Sequence, residues 1–150
     1  MENYEKDWYF VAVKVFLRDG DRLLVLHDKY GSWDIPGGRI RPEDFETPLE
    51  EIIDRKMGEE LGPDVKYSAP KPNNIFFRVE RLEAGLGRKV RIFAVGYEAQ
   101  YQGGKIALGK YMERYEWVDV NTFKPEDTFK GGWLKGVQEY LAKVRVTEEK

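Results

Sequence analysis

The chain has 150 residues, with 25 basic and 27 acidic side chains for a net charge of −2, no cysteine and one histidine. A chain of this size buries roughly 70% of the surface it exposes when unfolded, so a single core can hold it without covalent staples. The composition excludes disulfides, zinc–thiolate centres and a cysteine nucleophile, and the balanced charge is not the basic footprint of a nucleic-acid binder.

Met1 to Asp7 is polar, and no apolar run approaches the ~20 residues of a membrane span. The expectation is a soluble, cytoplasmic protein with no signal peptide and no membrane contact. Trp8 to Leu17 is rich in aromatic and β-branched residues and reads as a strand. Asp19-Gly20 is a hairpin-turn signal, and Arg22 to Leu26 is the returning strand. His27 follows as a strand-end surface residue. Lys29 to Ile35 reads as a loop, Pro36-Gly37-Gly38 as a breaker cluster, and Arg39 to Glu46 as a polar, acidic loop.

Thr47 to Leu61 is the clearest helix. Thr47 is placed to cap it, Pro48 sits at its first helical position, and Glu50 completes a capping box. Leu49, Ile52, Ile53, Met57 and Leu61 recur at helical spacing and form one apolar stripe; Gly62-Pro63 then stops the helix. Asn74 to Arg81 and Lys89 to Gln100 read as two strands of a long hairpin turning at Gly85 to Gly87. Gly103-Gly104 marks a further turn, and Met112 to Val120 reads as another strand. A second helix is expected from about Gly132 to Val144, with Trp133, Val137, Tyr140, Leu141 and Val144 on one face, ahead of a frayed charged tail from Thr147 to Lys150. No repeat or linker interrupts the chain, so the expectation is one α/β domain over residues 1–150, an α/β/α sandwich around a mixed sheet.

The chemistry is concentrated between Trp33 and Gly62. The helix carries Arg55, Glu59 and Glu60 near its end, and residues four apart share a helix face, which sets Arg55 beside Glu59. Two adjacent carboxylates at the partly negative end of a helix are costly unless a cation joins them. Hard divalent ions take such oxygen ligands, with Mg²⁺ expected here and Mn²⁺ as its substitute. The Gly37-Gly38 turn lets the backbone come close and offers the Gly38 carbonyl as a further ligand.

This segment resembles the Nudix box, whose second half reads R-E-U-x-E-E-x-G-U with U a bulky aliphatic residue. Arg55-Lys56-Met57-Gly58-Glu59-Glu60-Leu61-Gly62 matches that half, and Trp33-Asp34-Ile35-Pro36-Gly37-Gly38 matches the approach to it. The stretch from Gly38 to Arg55 is longer than the pattern allows, so the loop Arg39 to Glu46 carries an insertion, and Pro63 replaces the final aliphatic residue. Lys56 stands where the family normally has a glutamate. A charged lysine neither coordinates metal nor accepts a proton. By spacing, Lys56 faces both Glu59 and Glu60, where it can neutralise them and take over part of a metal ion's role.

The resemblance implies a Nudix fold and Mg²⁺-dependent hydrolysis of a nucleoside diphosphate linked to another moiety. It makes Gly38, Glu59 and Glu60 the metal ligands, with Arg55 holding Glu59, and gives Gly37, Gly38 and Arg39 to the substrate. The Pro36-to-Arg39 turn is similar to that of the GDP-mannose mannosyl hydrolases, a subgroup that tolerates a different residue at position 56 and attacks the sugar carbon. Such chemistry calls for a base outside the box; Glu113 or Glu116 is expected to supply it, with Glu43 and Glu46 as rivals. A nucleotide-binding module without catalysis, and a homodimer, also stay open. Tyr4, Trp8, Tyr30, Phe76 and Phe77 are read as structural, with base stacking as the alternative.

Overall fold

The computed structural model describes residues 5–83 and 85–148. Tyr4 and the last two residues of the expected tail, Glu149 and Lys150, lie outside the described residues. The first strand, β1 (Phe10–Asp19), turns at Gly20 into β2 (Arg22–Asp28). β3 (Trp33–Asp34) and β4 (Gly37–Arg39) are short strands where a loop and a breaker cluster were expected. The helix α1 (Leu49–Leu61) is followed by the hairpin of β5 (Lys71–Glu83) and β6 (Arg88–Gln100), then β7 (Met112–Asp119) and α2 (Gly131–Glu148). α2 runs through Thr147 and Glu148, which were expected to fray.

The seven strands form one mixed sheet. β1 runs parallel to β6 from Phe10 to Arg18, and β5 pairs antiparallel with β6. β1 and β2 pair only at the Arg18–Asp19 end and then diverge. The edges they free are taken by β4 along Ala12–Lys14 and by β3 along Leu26–His27, while β7 lines the other side of β2. Ile35-Pro36 joins β3 to β4 across that split, and Val15 N–H donates to the Pro36 carbonyl at 2.8 Å. The Gly37-Gly38 backbone is therefore built into the mouth of the sheet.

Both sheet faces are buried, which explains the apolar runs in β1 and β2. Alternate residues of β1 enter opposite cores: Val13, Val15 and Leu17 pack with Ile52, Ile53, Met57 and Leu61 of α1, whereas Ala12 and Phe16 pack with Val137, Tyr140 and Leu141 of α2. This is the expected α/β/α sandwich.

The start of α1 departs from expectation. Pro48 occupies the N-cap, no side chain caps the helix, and Thr47 N–H instead donates to the Asp44 carbonyl at 2.9 Å. The preceding loop has tightened into a 3-10 turn over Pro42–Asp44, which uses Thr47 to close the bend. Leu49, assigned to the stripe, is 41% exposed because it sits on the first turn, ahead of the contact with the sheet.

Candidate active site

The end of α1 and the Gly37-Gly38 strap form one wall each of a cleft of about 530 Å³. Lys56, Glu59 and Glu60 line it from the helix, and Gly109 to Met112 close the third side. That third segment also completes the helix end: Ala107 N–H donates to the Leu61 carbonyl at 2.8 Å and Gly109 N–H to the Glu60 carbonyl at 3.0 Å. Carbonyls that a helix terminus leaves without partners are thus satisfied by the loop that bounds the cleft.

The two glycines are needed for different reasons. Gly37 has φ of +138°, and a Cβ there would meet the Val13 carbonyl at 2.0 Å. Gly38 has no positive φ; a Cβ there would meet Cδ and Cε of Lys56 at 2.9 and 3.0 Å.

Glu60 reaches inward and accepts a 2.9 Å hydrogen bond from Gly37 N–H. Burial pushes its carboxyl up to about 7, and nearby Asp34 adds to the rise. Lys14, the Gly37 N–H and Lys56 pull the other way. Glu59 is half-exposed and faces three cations: Arg41 Nη2 at 3.4 Å, Arg55 Nε at 3.6 Å and Lys56 Nζ at 3.8 Å.

Arg55 was expected to hold Glu59, but its stronger partner is Asp44. Its two terminal nitrogens donate to both Asp44 oxygens at 2.6 and 2.8 Å, and Arg41 N–H adds a bond of 2.9 Å. These bonds, with the Arg55 charge, hold the Asp44 carboxyl well below the usual carboxylate range. The inserted loop is thereby tied to the middle of α1. The sequence signal was present, an acidic residue in an acidic insertion, but nothing in the spacing distinguished Asp44 from Glu43 or Glu46.

Lys14 and Asp34 were also missed. Lys14 is 4% exposed; its ammonium donates to both Asp34 oxygens at 3.0 Å and to the Ile35 carbonyl at 3.3 Å, over the Trp133 ring. The pair fastens the chain just before the strap.

Two expected site residues are engaged elsewhere. Arg39 donates to Glu83 at 2.6 Å and lies over the Phe10 ring, which occupies the group expected to bind substrate. Glu113 does not line the cleft: the β-bulge at His27–Asp28 turns it toward His27, and its carboxylate lies 2.8 Å from Nδ1. His27 packs edge-on against Trp33, and Arg114 lies over the same indole. Glu116 is exposed on β7, and Glu43 is 3.5 Å from Arg41 Nε. Of the aromatic candidates, Phe77 is buried in the core while Trp8, Tyr30 and Phe76 are exposed. The aromatic ring that does line the cleft is Tyr111, 54% exposed, with Lys110 Nζ 5.0 Å from its centroid and Tyr30 beyond it.

Among the described residues no three His, Asp or Glu side chains are grouped so as to hold a metal ion by themselves. Glu59 and Glu60 fit an ion shared with a ligand, since Mg²⁺ is usually held by one or two carboxylates plus waters and phosphate oxygens. Among the same residues no helix is long and apolar enough to cross a membrane.

A family model described as the NUDIX domain matches residues 8–136. The chain belongs to the Nudix family. It is a Nudix hydrolase by that membership, with the family's α/β/α sandwich. A MutT protein from Methanosarcina mazei Go1 is similar in structure, with a TM-score of 0.71 and 21% identity over 95% of this chain and 99% of that one. An ADP-ribose pyrophosphatase from Streptococcus suis gives 0.59 and 12%, covering 91% and 92% of the two chains. The E. coli dihydroneopterin triphosphate pyrophosphohydrolase gives 0.63 and 14%, covering 91% and 99%. No curated protein sequence matches. At these identities the likenesses speak for the fold.

Proposed function

We propose that this Nudix hydrolase cleaves a nucleoside diphosphate linked to another moiety, at phosphorus, with one divalent ion, Mg²⁺ or Mn²⁺, held between enzyme and substrate. The observation that carries the reading is that Glu59 and Glu60 line the same cleft as the Gly37-Gly38 strap. Glu59 and Glu60 would hold the ion with the Gly38 carbonyl. The ion's contribution, when bound, is to polarise phosphate oxygens and offset the charge of the leaving group.

The chain's own residues do the rest. Glu60 lies in the cleft with its carboxylate oriented by the Gly37 N–H, and is placed to take a proton from the attacking water on the oxygen that the ion would leave free. The new P–O bond forms as the bridging P–O bond breaks, and the two phosphorylated products share the original diphosphate. Asp44 and Arg55 hold the inserted loop against the helix, and Arg55 and Arg41 keep Glu59 in place. The exposed face of Tyr111 gives a nucleobase a surface to stack on, with Lys110 near the phosphates. That one structural relative is named a pyrophosphatase and another a pyrophosphohydrolase agrees with attack at phosphorus.

The test is a hydrolysis panel in ¹⁸O-labelled water with Mg²⁺, offering ADP-ribose, dinucleoside polyphosphates, nucleoside triphosphates and GDP-mannose. Label on a phosphate of the product supports the proposal. Label on a released sugar overturns it in favour of attack at carbon, and absence of turnover across the panel overturns the substrate class.

A further inference from the structure

Lys56 stands at the position where this chain departs furthest from the family pattern, and the function proposed above leaves it without a role. As a lysine three residues before a glutamate on a helix, it has an ordinary reading as a surface ion pair of small worth. Three observations set it apart. Its side chain is only 16% exposed, where a lysine head is normally in water. It runs into the cleft, between helix and strap, with Nζ 3.8 Å from Glu59 Oε2 and its charge acting on Glu60. It also fills the space next to Gly38: a Cβ there would lie 2.9 Å from Cδ, 3.0 Å from Cε and 3.2 Å from Nζ. The absence of a side chain at position 38 is thus matched to the presence of this one.

An ion shared by Glu59, Glu60 and the strap would share its cleft with an ammonium already there. Glu59 moreover faces Arg41 and Arg55 as well as Lys56, so the local negative charge left to attract cations is small. Two divalent ions would add four positive charges to a site whose two carboxylates already have four cationic neighbours, Arg41, Arg55, Lys56 and Lys14. A lysine brings one fixed charge and three N–H donors, suited to phosphate oxygens, and unlike a metal ion it does not dissociate.

We propose that the Lys56 ammonium is the resident cation of the cleft, standing where a second divalent ion would otherwise bind. The site therefore takes no more than one divalent ion, and Lys56 contacts the ligand's diphosphate directly. The proposal rests on the reading of the cleft as a diphosphate site, and it is tested by binding, so that it is separable from the question of turnover.

The experiment measures Mn²⁺ by electron paramagnetic resonance titration, and methylenediphosphonate, a non-hydrolysable diphosphate, by calorimetry at saturating Mn²⁺. The proteins are the unaltered chain, Lys56→Met, Lys56→Glu and Lys56→Arg, each first checked for a cooperative thermal transition. The unaltered chain is expected to bind one Mn²⁺ at most. Lys56→Met is expected to tighten Mn²⁺ by about fivefold or more, as removal of a neighbouring unit charge in a wet site should. The same variant is expected to weaken methylenediphosphonate by a similar factor. Lys56→Glu should gain a second Mn²⁺, and Lys56→Arg should keep both original affinities within a few-fold. A merely structural lysine would weaken both ligands together when removed. Two or more Mn²⁺ in the unaltered cleft, or changes of the same sign for both ligands in Lys56→Met, or no change in either, would overturn the proposal. If the isotope panel shows no turnover, the hydrolytic substrate class falls while these two affinities still decide the place of Lys56.

Discussion

Asp44 in the inserted loop grips Arg55 in the middle of α1 through two hydrogen bonds of 2.6 and 2.8 Å. Asp44 is 3% exposed, and Arg55 in turn is the neighbour of Glu59. The loop is thus a brace for the helix that carries both acidic residues of the cleft. Asp44→Asn breaks the charge pairing and is expected to lower the Tm and to cost about tenfold in kcat/KM, the usual scale for a residue that orients a metal ligand. Because the Asp44 carboxyl titrates below its ordinary value, its contribution is present above the normal carboxylate range, starts to decline as the pH enters that range, and is gone only below the lowered folded-state value. Melting curves between pH 3 and 7 should therefore show a shallower acid limb in Asp44→Asn. An unchanged acid limb would remove Asp44 as the brace.

Glu60 runs the opposite way. Burial raises its carboxyl to about 7, so between the ordinary glutamate range and pH 7 the folded chain binds a proton that the unfolded chain has released. Its contribution is most favourable at low pH and is lost as the pH rises through 7. In metal-free buffer, Glu60→Gln should remove this slope and stabilise the fold at pH 8 by at most about 3 kcal/mol. The same substitution should reduce kcat by about a hundredfold or more, since it removes the proposed proton acceptor. Denaturant melts at pH 5 and pH 8 with chelator present check the first statement. A variant less stable than the parent at both pH values would contradict it.

The framework of the fold was legible because it rests on periodicity. Ile52, Ile53, Met57 and Leu61 identify α1 by spacing alone, and the turn at Gly85 to Gly87 identifies the hairpin of β5 and β6. The cleft was legible in part, through Gly37-Gly38 and Glu59-Glu60, since a motif compresses a three-dimensional site into a short stretch. What escaped were contacts made by return of the chain. In β1, Ala12, Lys14 and Phe16 alternate with Val13, Val15 and Leu17, and nothing in that pattern says that Lys14 ends beside Asp34 in a doubly covered sheet. The 3-10 turn that takes Thr47 away from capping is fixed by Asp44 meeting Arg55, a contact eleven residues on. Lys110 and Tyr111 reach the cleft only because residues 107–109 bond to the end of α1. The placement of Glu113 turns on a bulge, which shifts register without a sequence mark.

The two glycines of the strap should separate cleanly. Gly37→Ala forces a side chain into a left-handed conformation and against the Val13 carbonyl of β1, a backbone contact with little room to yield. A loss of about 3 kcal/mol or more is expected. At Gly38 the obstacle is the flexible end of Lys56, which can swing aside. Gly38→Ala should stay within about 1 kcal/mol of the parent, yet disturb Lys56 and so shift Mn²⁺ and methylenediphosphonate affinities in the directions expected for Lys56→Met. Equal destabilisation by both substitutions, measured by urea melts, would show that the lysine does not set the requirement at position 38.

Tyr111 tests which end of a substrate the cleft reads. Its ring is exposed beside Lys110, and Tyr30 lies 6.5 Å beyond at a shallow interplanar angle of 28°. An aromatic platform of this kind contributes to binding a planar base and nothing to a bare phosphate chain. Tyr111→Ala should therefore raise KM for a hydrolysed nucleotide by about tenfold, the lower end of what base stacking contributes, while kcat changes little. The affinity for methylenediphosphonate, which has no base, should stay as it was. Tyr111→Phe should behave like the parent, because the ring face and not the hydroxyl is at work. If Tyr111→Ala weakens methylenediphosphonate as much as nucleotide, the tyrosine shapes the loop from Gly109 to Met112 and the base is held elsewhere.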